Sequence, residues 1–289
     1  MLATLEFLAD LPLYDSEKPF VLYGFPDHIQ PKTNCQYEVH DKVTVQDARG
    51  HEQDYRLDEC GFEFHRWPSA CDLRAEIFES IKGKATIWSY LHETISIVER
   101  LAKPSEVFCF DWRLRRTGAQ GGVKEQLDNL EEARYRALPP ASLMHCDYSY
   151  DGGLDTLKIH LKPEEFVSVE EGRAKAKIIN IWRPFQTVHK SPLVLCDRRT
   201  VGVNDILDVD QVAPTKLEQS MALTYKPEQE FHCLSSHEPE EVALFVSWSS
   251  EQDEEIASHT PHGAHIEDDT VNSTGLRESI EVRLIALWS

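Results

Sequence analysis

The triplet His145-Cys146-Asp147 carries an imidazole and a carboxylate, two groups that commonly bind divalent metal ions in proteins. If the triplet forms a strand, side chains two positions apart share a face, so His145 and Asp147 could converge on one cation. A second histidine would complete a 2-His-1-carboxylate triad, which leaves positions open at iron(II) for a cosubstrate and oxygen. Taken alone, the triplet favours the simpler interpretation of a His–Asp hydrogen bond in a loop.

The C-terminal part of the chain contains groups that would extend such a site. The segment from His259 to His265 holds three histidines, His259, His262 and His265, and any one of them could complete the triad. Arg277 follows His262 by fifteen residues, and on a strand it would share a face with Ser279. A guanidinium and a hydroxyl on one face could hold the distal carboxylate of a dicarboxylic acid. Taken alone, Arg277 is better explained as a surface residue, but the ordered combination of His-Xaa-Asp, His and Arg-Xaa-Ser is much more specific.

The elements around these residues are mostly short strands. Apolar residues of Ala85–Lys103 recur at three- and four-residue steps, which predicts one amphipathic helix. Val107–Leu114 predicts a strand, and Lys124–Ala137 predicts a charged, mostly exposed helix. Many closely spaced strands with intervening turns then favour an antiparallel barrel or sandwich. The predicted strands of this second half are 157–161, 177–182, 193–196, 221–225, 230–234, 242–248 and 279–288.

No linker rich in glycine, serine or proline divides the chain, so we expect one domain over residues 1–289. Within it, residues 1–138 are expected to supply N-terminal strands and buttressing helices. Residues 139–289 are expected to form the core that carries the metal site.

Composition narrows the classes of partner. With 30 Lys and Arg against 50 Asp and Glu, the net charge of −20 argues against binding to nucleic acid or to anionic membrane surfaces. There is no apolar run long enough for a transmembrane helix, and the N-terminus lacks the basic residues of a secretory signal. Seven cysteines without a CxxC pair are typical of reduced thiols. These observations predict a cytoplasmic protein.

Seven blocks of the sequence, in this order, resemble the AsaB-type hydroxylase/desaturase family of iron(II)/2-oxoglutarate-dependent oxygenases. That family has gibberellin-desaturase-like and cephamycin-hydroxylase-like members and occurs largely in fungi. The resemblance covers most of the chain. The seven blocks are Tyr55–Phe64, Val107–Asp111, His145–Ser149, Asn180–Pro184, Pro192–Asp197, Pro261–Ala264 and Arg277–Arg283.

The resemblance implies a mainly β fold with flanking helices and a double-stranded β-helix (jelly-roll) core. It also implies that His145, Asp147 and His262 are catalytic and bind iron(II). Among the three histidines of 259–265, the resemblance selects His262 because it occupies the Pro-His-small-Ala position of the family. Arg277 would then anchor the far carboxylate of 2-oxoglutarate, assisted by Ser279.

The resemblance gives less definite roles to other residues. Asn180 and Arg183 lie in a block of the family and are candidates for cofactor binding, although Arg183 could instead form a buried ion pair. His259 and His265 would stand outside the ligand set. His265 and the segment Ser247–Ser250 depart from the family pattern, so we expect differences in the substrate pocket and not in the cofactor.

The implied reaction is hydroxylation or desaturation of a small molecule, with O2 consumed and succinate and CO2 released. A fungal secondary metabolite is the substrate class that the resemblance implies. One alternative is a non-catalytic jelly-roll protein that binds a small molecule. The other is a zinc-dependent hydrolase using His145, Asp147 and the histidines of 259–265, but zinc hydrolysis leaves Arg277 unexplained.

Overall fold

The computed structural model describes residues 1–119, 135–251, 253, 257–267 and 277–289. These residues form fourteen strands and four α-helices. The helices are α1 (Ala75–Phe78), α2 (Lys84–Leu101), α3 (Tyr150–His160) and α4 (Pro163–Glu170). The strands are β1 (Leu2–Leu8), β2 (Phe20–Leu22), β3 (Tyr37–Asp47), β4 (Phe62–Arg66), β5 (Glu106–Arg116), β6 (His145–Cys146), β7 (Lys175–Pro184), β8 (Leu193–Cys196), β9 (Ile206–Ala213), β10 (Lys216–Leu223), β11 (Phe231–Cys233), β12 (Glu241–Ser249), β13 (His262–Ala264) and β14 (Glu278–Trp288).

The strands form two sheets that pack face to face. A nine-stranded sheet has the order β1-β3-β11-β8-β13-β6-β10-β9-β2, and a five-stranded sheet has the order β4-β12-β7-β14-β5. Side chains from both sheets share one buried apolar cluster, in which Leu195 of the larger sheet meets Trp182 and Phe245 of the smaller one. Most neighbouring strands run antiparallel, and among the fourteen described strands β3–β11 and β2–β9 pair in parallel. The mainly β fold with flanking helices is therefore confirmed.

The five-stranded sheet has one face toward the other sheet and one face toward helix α2. Because side chains alternate along a strand, residues of one parity face the helix. Ile181, Val282 and Leu114 lie on this outer face and pack with Ile87 and Leu91 of α2 in the largest apolar cluster. The predicted helix Ala85–Lys103 corresponds to α2, which packs on the outer face, and residues of the other parity face the space between the sheets.

The segment around Leu157 differs from its prediction. Residues 157–161 were predicted as a strand, but they lie at the end of helix α3. The Ser149 hydroxyl accepts a hydrogen bond from the Gly152 N–H and caps this helix. A Cβ at Gly153 would lie 2.2 Å from the Trp248 ring, so glycine is required for the helix to approach strand β12. Apolar spacing within this short segment did not distinguish a buried strand from a helix.

Two further expectations concern the helix predicted over Lys124–Ala137 and the strands of the first 138 residues. Of the predicted helix Lys124–Ala137, residues 124–134 lie outside the described residues. Strands from the first 138 residues join both sheets: β1 and β3 extend the larger, and β4 and β5 form the edges of the smaller. Among the described helices, none has both the length and the apolar character needed to cross a membrane.

Candidate metal centre

Two adjacent strands bring the candidate histidines together. His145 in β6 lies directly opposite His262 in β13, with ring centroids 4.5 Å apart. Asp147 follows β6 immediately, and one donor atom from each of the three side chains lies within 4.8 Å of the others. The cross-strand pairing therefore joins residues that are far apart in sequence into one cluster.

Backbone carbonyls orient both imidazoles. Nδ1 of His145 lies 2.8 Å from the Leu143 carbonyl oxygen, and Nδ1 of His262 lies 3.0 Å from that of Thr260. Because a carbonyl oxygen only accepts, each Nδ1 must carry the proton and donate. In the neutral imidazole this leaves the Nε2 lone pair available, which is the form of histidine that binds a metal ion.

Asp147 is held by three donors. Its Oδ2 accepts hydrogen bonds from Asn180 Nδ2 at 2.7 Å and from Ser247 Oγ at 2.9 Å. Its Oδ1 accepts one from Arg283 Nη2 at 2.8 Å and lies 3.8 Å from His145 Nε2. A carboxylate oxygen has two lone pairs, so Oδ2 is fully used and Oδ1 has one left. The carboxylate therefore presents one oxygen toward the histidines.

The charges around the cluster fix its protonation. Burial alone would raise the pKa of Asp147, but Arg283 and the two histidines reverse this and hold the pKa well below its usual range. Burial, with a smaller contribution from His262, lowers the pKa of His145 to about 4. At neutral pH the cluster therefore offers an anionic carboxylate and a neutral His145, which are the states that bind a divalent cation.

Arg277 and Ser279 lie next to each other at the start of β14. Arg277 is 4% exposed, and its guanidinium lies 5.0 Å from the Trp182 ring centroid. Its Nη1 donates to the Ser191 carbonyl oxygen at 2.6 Å, and its Nε lies 3.4 Å from the Ser279 hydroxyl oxygen. Burial and the nearby Arg115 lower the pKa of Arg277 to about 9. This guanidinium is a buried cation, and its hydrogen bonds within the described residues go to neutral oxygens.

The two remaining candidates, Asn180 and Arg183, project from opposite faces of strand β7. Asn180 faces the space between the sheets and donates to Asp147. Arg183 faces the helix side instead: its Nη1 donates to the carbonyl oxygens of Trp67 and Pro239, and its Nε donates to the Tyr90 hydroxyl. Side chains alternate along a strand, so two residues three positions apart point to opposite faces. The structure therefore brings Asn180 to the cluster and holds Arg183 in the layer under helix α2.

The other two histidines of the 259–265 segment have separate contacts. His259 Nδ1 lies 2.9 Å from the Ser258 hydroxyl, and His265 Nδ1 accepts from the Thr4 N–H at 3.0 Å. Neither belongs to the group that contains His262.

Two residues of the cluster were not identified from the sequence. Arg283 has the same parity on β14 as Arg277 and Ser279, so strand alternation could have placed it on the inner face. Ser247 was expected to affect the substrate pocket, whereas its hydroxyl donates directly to Asp147. A β-bulge between Val246 and Trp248 shifts the register of β12 at this point, and no sequence signal marks it.

Comparisons with known proteins agree with this architecture. The alpha-ketoglutarate-dependent dioxygenase phiK from Fungal sp. is 27% identical over 248 residues, covering 85% of this chain and 83% of that protein. The hydroxylase/desaturase CTB9 from Cercospora beticola is 23% identical over 256 residues, covering 85% of this chain and 76% of that protein. Relatives with these names confirm the resemblance described above.

A solved structure matches the whole chain. The iron and alpha-ketoglutarate-dependent endoperoxidase NvfI aligns with a TM-score of 0.80 and 21% identity, over 100% of this chain and 98% of that one. This likeness confirms the fold, including the jelly-roll core expected of such oxygenases. The family model described as "Oxidoreductase/YMDC permease-like domain" matches residues 5–287. Because this match spans nearly the whole chain, the protein belongs to that family.

Proposed function

We propose that the protein is an iron(II)- and 2-oxoglutarate-dependent oxygenase that hydroxylates or desaturates a small organic molecule. Relatives aligned over most of the chain are named alpha-ketoglutarate-dependent dioxygenase and hydroxylase/desaturase, which confirms the predicted enzyme class, Fe(II), 2-oxoglutarate and O2. The substrate class that we propose is a fungal secondary metabolite, since these relatives come from fungi.

The observation that carries the assignment is the state of the donor atoms. Nε2 of His145, Nε2 of His262 and Oδ1 of Asp147 each keep a lone pair, and all three side chains are oriented by other groups of the chain. We therefore assign these three atoms as the ligands of the iron ion. When bound, the iron supplies the activation of O2 that the protein's own groups cannot provide.

The protein's contribution is orientation and a fixed charge distribution. Asn180, Ser247 and Arg283 hold the Asp147 carboxylate so that only one oxygen is presented, which restricts it to monodentate binding. The two carbonyl acceptors prevent the imidazoles from rotating or changing tautomer.

We assign Arg277 and Ser279 to the far carboxylate of 2-oxoglutarate. A buried guanidinium is stabilised by an anion, and the present contacts of Arg277 are a carbonyl and a hydroxyl. Ser279 holds one edge of the guanidinium, and Trp182 lies against its face. The side chain is therefore positioned to bind a carboxylate without first reorganising.

The wider setting that we propose follows from composition. One domain over residues 1–289, located in the cytoplasm, fits a sequence with seven cysteines and no CxxC pair, and the net charge of −20 argues against nucleic-acid and membrane-surface partners.

The test is an anaerobic titration with iron(II) and 2-oxoglutarate, followed by the visible charge-transfer band of the complex. We expect the band in the wild type and its loss in His262→Ala, with the matched variant His265→Ala unchanged, because His265 stands outside the cluster. Aerobic incubation should then give succinate that depends on both iron(II) and 2-oxoglutarate. Zinc-dependent hydrolysis without succinate would favour the hydrolase alternative. Failure to bind both metal and 2-oxoglutarate would favour the non-catalytic binding protein.

A further inference from the structure

A second arginine, Arg115, lies beside the Arg277 site. Arg115 in β5 pairs directly with Ser279 in β14, and the Thr117 N–H donates to the Arg277 carbonyl at 2.9 Å. Arg277 is thus the diagonal cross-strand neighbour of Arg115, a spacing that long side chains can bridge. Trp112 and Leu114 of the same strand pack on the helix side, so Arg115 faces the space between the sheets.

Electrostatic effects agree with this location. The charge of Arg115 lowers the pKa of Arg277, as expected for two guanidinium groups at diagonal positions of neighbouring strands. Burial lowers the pKa of Arg115 itself. Arg115 and Arg277 are therefore two neighbouring cations that destabilise each other, and the charge of Glu281 offsets part of this effect at both.

The neighbouring arginines differ from this pair because each has a carboxylate partner. Arg113 lies 3.0 Å from Asp111, and Arg283 contacts Asp147, Glu281 and Asp111. The one side-chain hydrogen bond of Arg115 within the described residues runs from Nη1 to the Pro139 carbonyl oxygen at 3.0 Å. No carboxylate in the described ranges lies within ion-pair distance of Arg115.

We propose that Arg115 is a second carboxylate-binding residue of the site and that it acts together with Arg277. This proposal rests on the proposed function and deepens it. One carboxylate placed between the two guanidinium groups would relieve their mutual repulsion and accept charge-assisted hydrogen bonds from both. The carboxylate comes either from the far end of 2-oxoglutarate or from the substrate, and the two sources can be separated experimentally.

The experiment uses the anaerobic iron(II)-loaded protein and two keto acids. 2-Oxoglutarate carries the far carboxylate, whereas 2-oxopentanoate has the same chain length with a methyl group in its place. If the carboxylate belongs to 2-oxoglutarate, Arg115→Gln raises the Kd of 2-oxoglutarate about tenfold or more and leaves that of 2-oxopentanoate unchanged. Arg115→Lys, which keeps the charge, should recover part of the loss. The unchanged 2-oxopentanoate affinity shows that the variant is folded.

A second titration examines the substrate side. Hexanoate, a carboxylate without a keto group, is added to the complex of the protein with iron(II) and 2-oxoglutarate, and its binding is measured by calorimetry. If the carboxylate belongs to the substrate, Arg115→Gln abolishes hexanoate binding and leaves the Kd of 2-oxoglutarate unchanged. Arg113→Gln is the matched control, because Arg113 is an inner-face arginine with its own carboxylate, and it should alter neither titration.

The proposal is overturned if Arg115→Gln binds 2-oxoglutarate and hexanoate as the wild type does, or if 2-oxopentanoate weakens as much as 2-oxoglutarate. Failure of the proposed function has a different signature, since the wild type itself would then form no complex with iron(II) and 2-oxoglutarate.

Discussion

Two clusters among the residues that the structure describes have the residue types of a metal site, but they use their donor atoms differently. In each cluster, one donor atom from each of three side chains lies within 4.8 Å of the others. The first cluster consists of His145, Asp147 and His262; the second consists of Asp197, Glu230 and His232.

The carboxylate at the centre of the second cluster is already occupied. Oδ1 of Asp197 accepts from the backbone N–H and Nε of Arg199, and Oδ2 accepts from Nη2 of Arg199 at 2.6 Å and from Nε at 3.2 Å. A divalent cation would have to displace or approach this guanidinium. Nδ1 of His232 lies 3.1 Å from the Tyr55 hydroxyl, and Glu230 is exposed. In contrast, Asp147 has one oxygen with a lone pair left over.

The contrast shows that residue type and proximity do not define a metal site. What matters is how many lone pairs the surrounding donors leave, and whether a fixed cation already neutralises the carboxylate. Arg283 also neutralises Asp147, but it shares its contacts with Glu281 and Asp111 and touches one oxygen only. We therefore expect wild-type protein to bind one divalent ion, at the first cluster.

The largest expected effect comes from replacing the central aspartate of each cluster with alanine. Asp147→Ala should weaken iron(II) binding at least ~100-fold, because it removes a ligand and leaves Arg283 facing the metal position. Asp197→Ala should leave iron(II) affinity unchanged and cost about 1 kcal/mol of stability, since Asp197 caps the turn Arg198–Thr200. Anaerobic calorimetry measures the affinities, and denaturant unfolding measures the stability. Equal losses of affinity in the two variants would contradict the assignment.

A smaller effect is expected for the donors to Asp147. Ser247→Ala removes the hydrogen bond from Oγ to Oδ2 and frees a lone pair on an oxygen that is turned away from His145. We expect iron(II) affinity to fall about tenfold, as is typical when a group that orients a ligand is removed. Ser220→Ala is the matched control, because Ser220 is also a buried strand serine, but its hydroxyl accepts from Gln211. An unchanged affinity in Ser247→Ala would show that the serine does not orient the carboxylate.

The sequence was sufficient for the parts of the site that depend on strand periodicity. Two pairs of residues were each predicted to share a strand face, and the members of each pair lie together. One pair is His145 and Asp147, at a short strand. The other is Arg277 and Ser279, at the start of a long strand. The choice of His262 among three histidines needed the family resemblance. The pairing of β6 with β13 joins distant segments, and periodicity within either segment carries no information about that partner.

The sequence was insufficient where packing decides the outcome. Arg183 and Asn180 lie in one block, yet their side chains face opposite sides of β7, so only strand parity could have separated them. Residues 157–161 were predicted as a strand, but they form the end of helix α3, whose two glycines lie against Trp248 and the Gln219 backbone. For this helix the neighbouring layer, and not the local pattern, determines the structure.

The smallest expected effect concerns the second cluster and tests the comparison most directly. Arg199→Gln removes the guanidinium from Asp197 and leaves its carboxylate beside Glu230 and His232. Nε2 of His232 has no hydrogen-bond partner within the described ranges, so in the variant an imidazole nitrogen and two carboxylates would be available to a metal ion. We expect a second equivalent of Zn²⁺ to bind, at least ~100-fold more weakly than the first, because Glu230 is exposed and unsupported.

Calorimetry with Zn²⁺ distinguishes the outcomes. Wild type should bind one equivalent, Arg199→Gln two, and the double variant Arg199→Gln/His232→Ala one again, because the imidazole is required for the new site. Two equivalents in the wild type would mean that Arg199 does not block the second cluster, and the lone-pair argument would fail there. One equivalent in all three proteins would mean that the position of Glu230, and not the guanidinium, keeps the second cluster from binding metal.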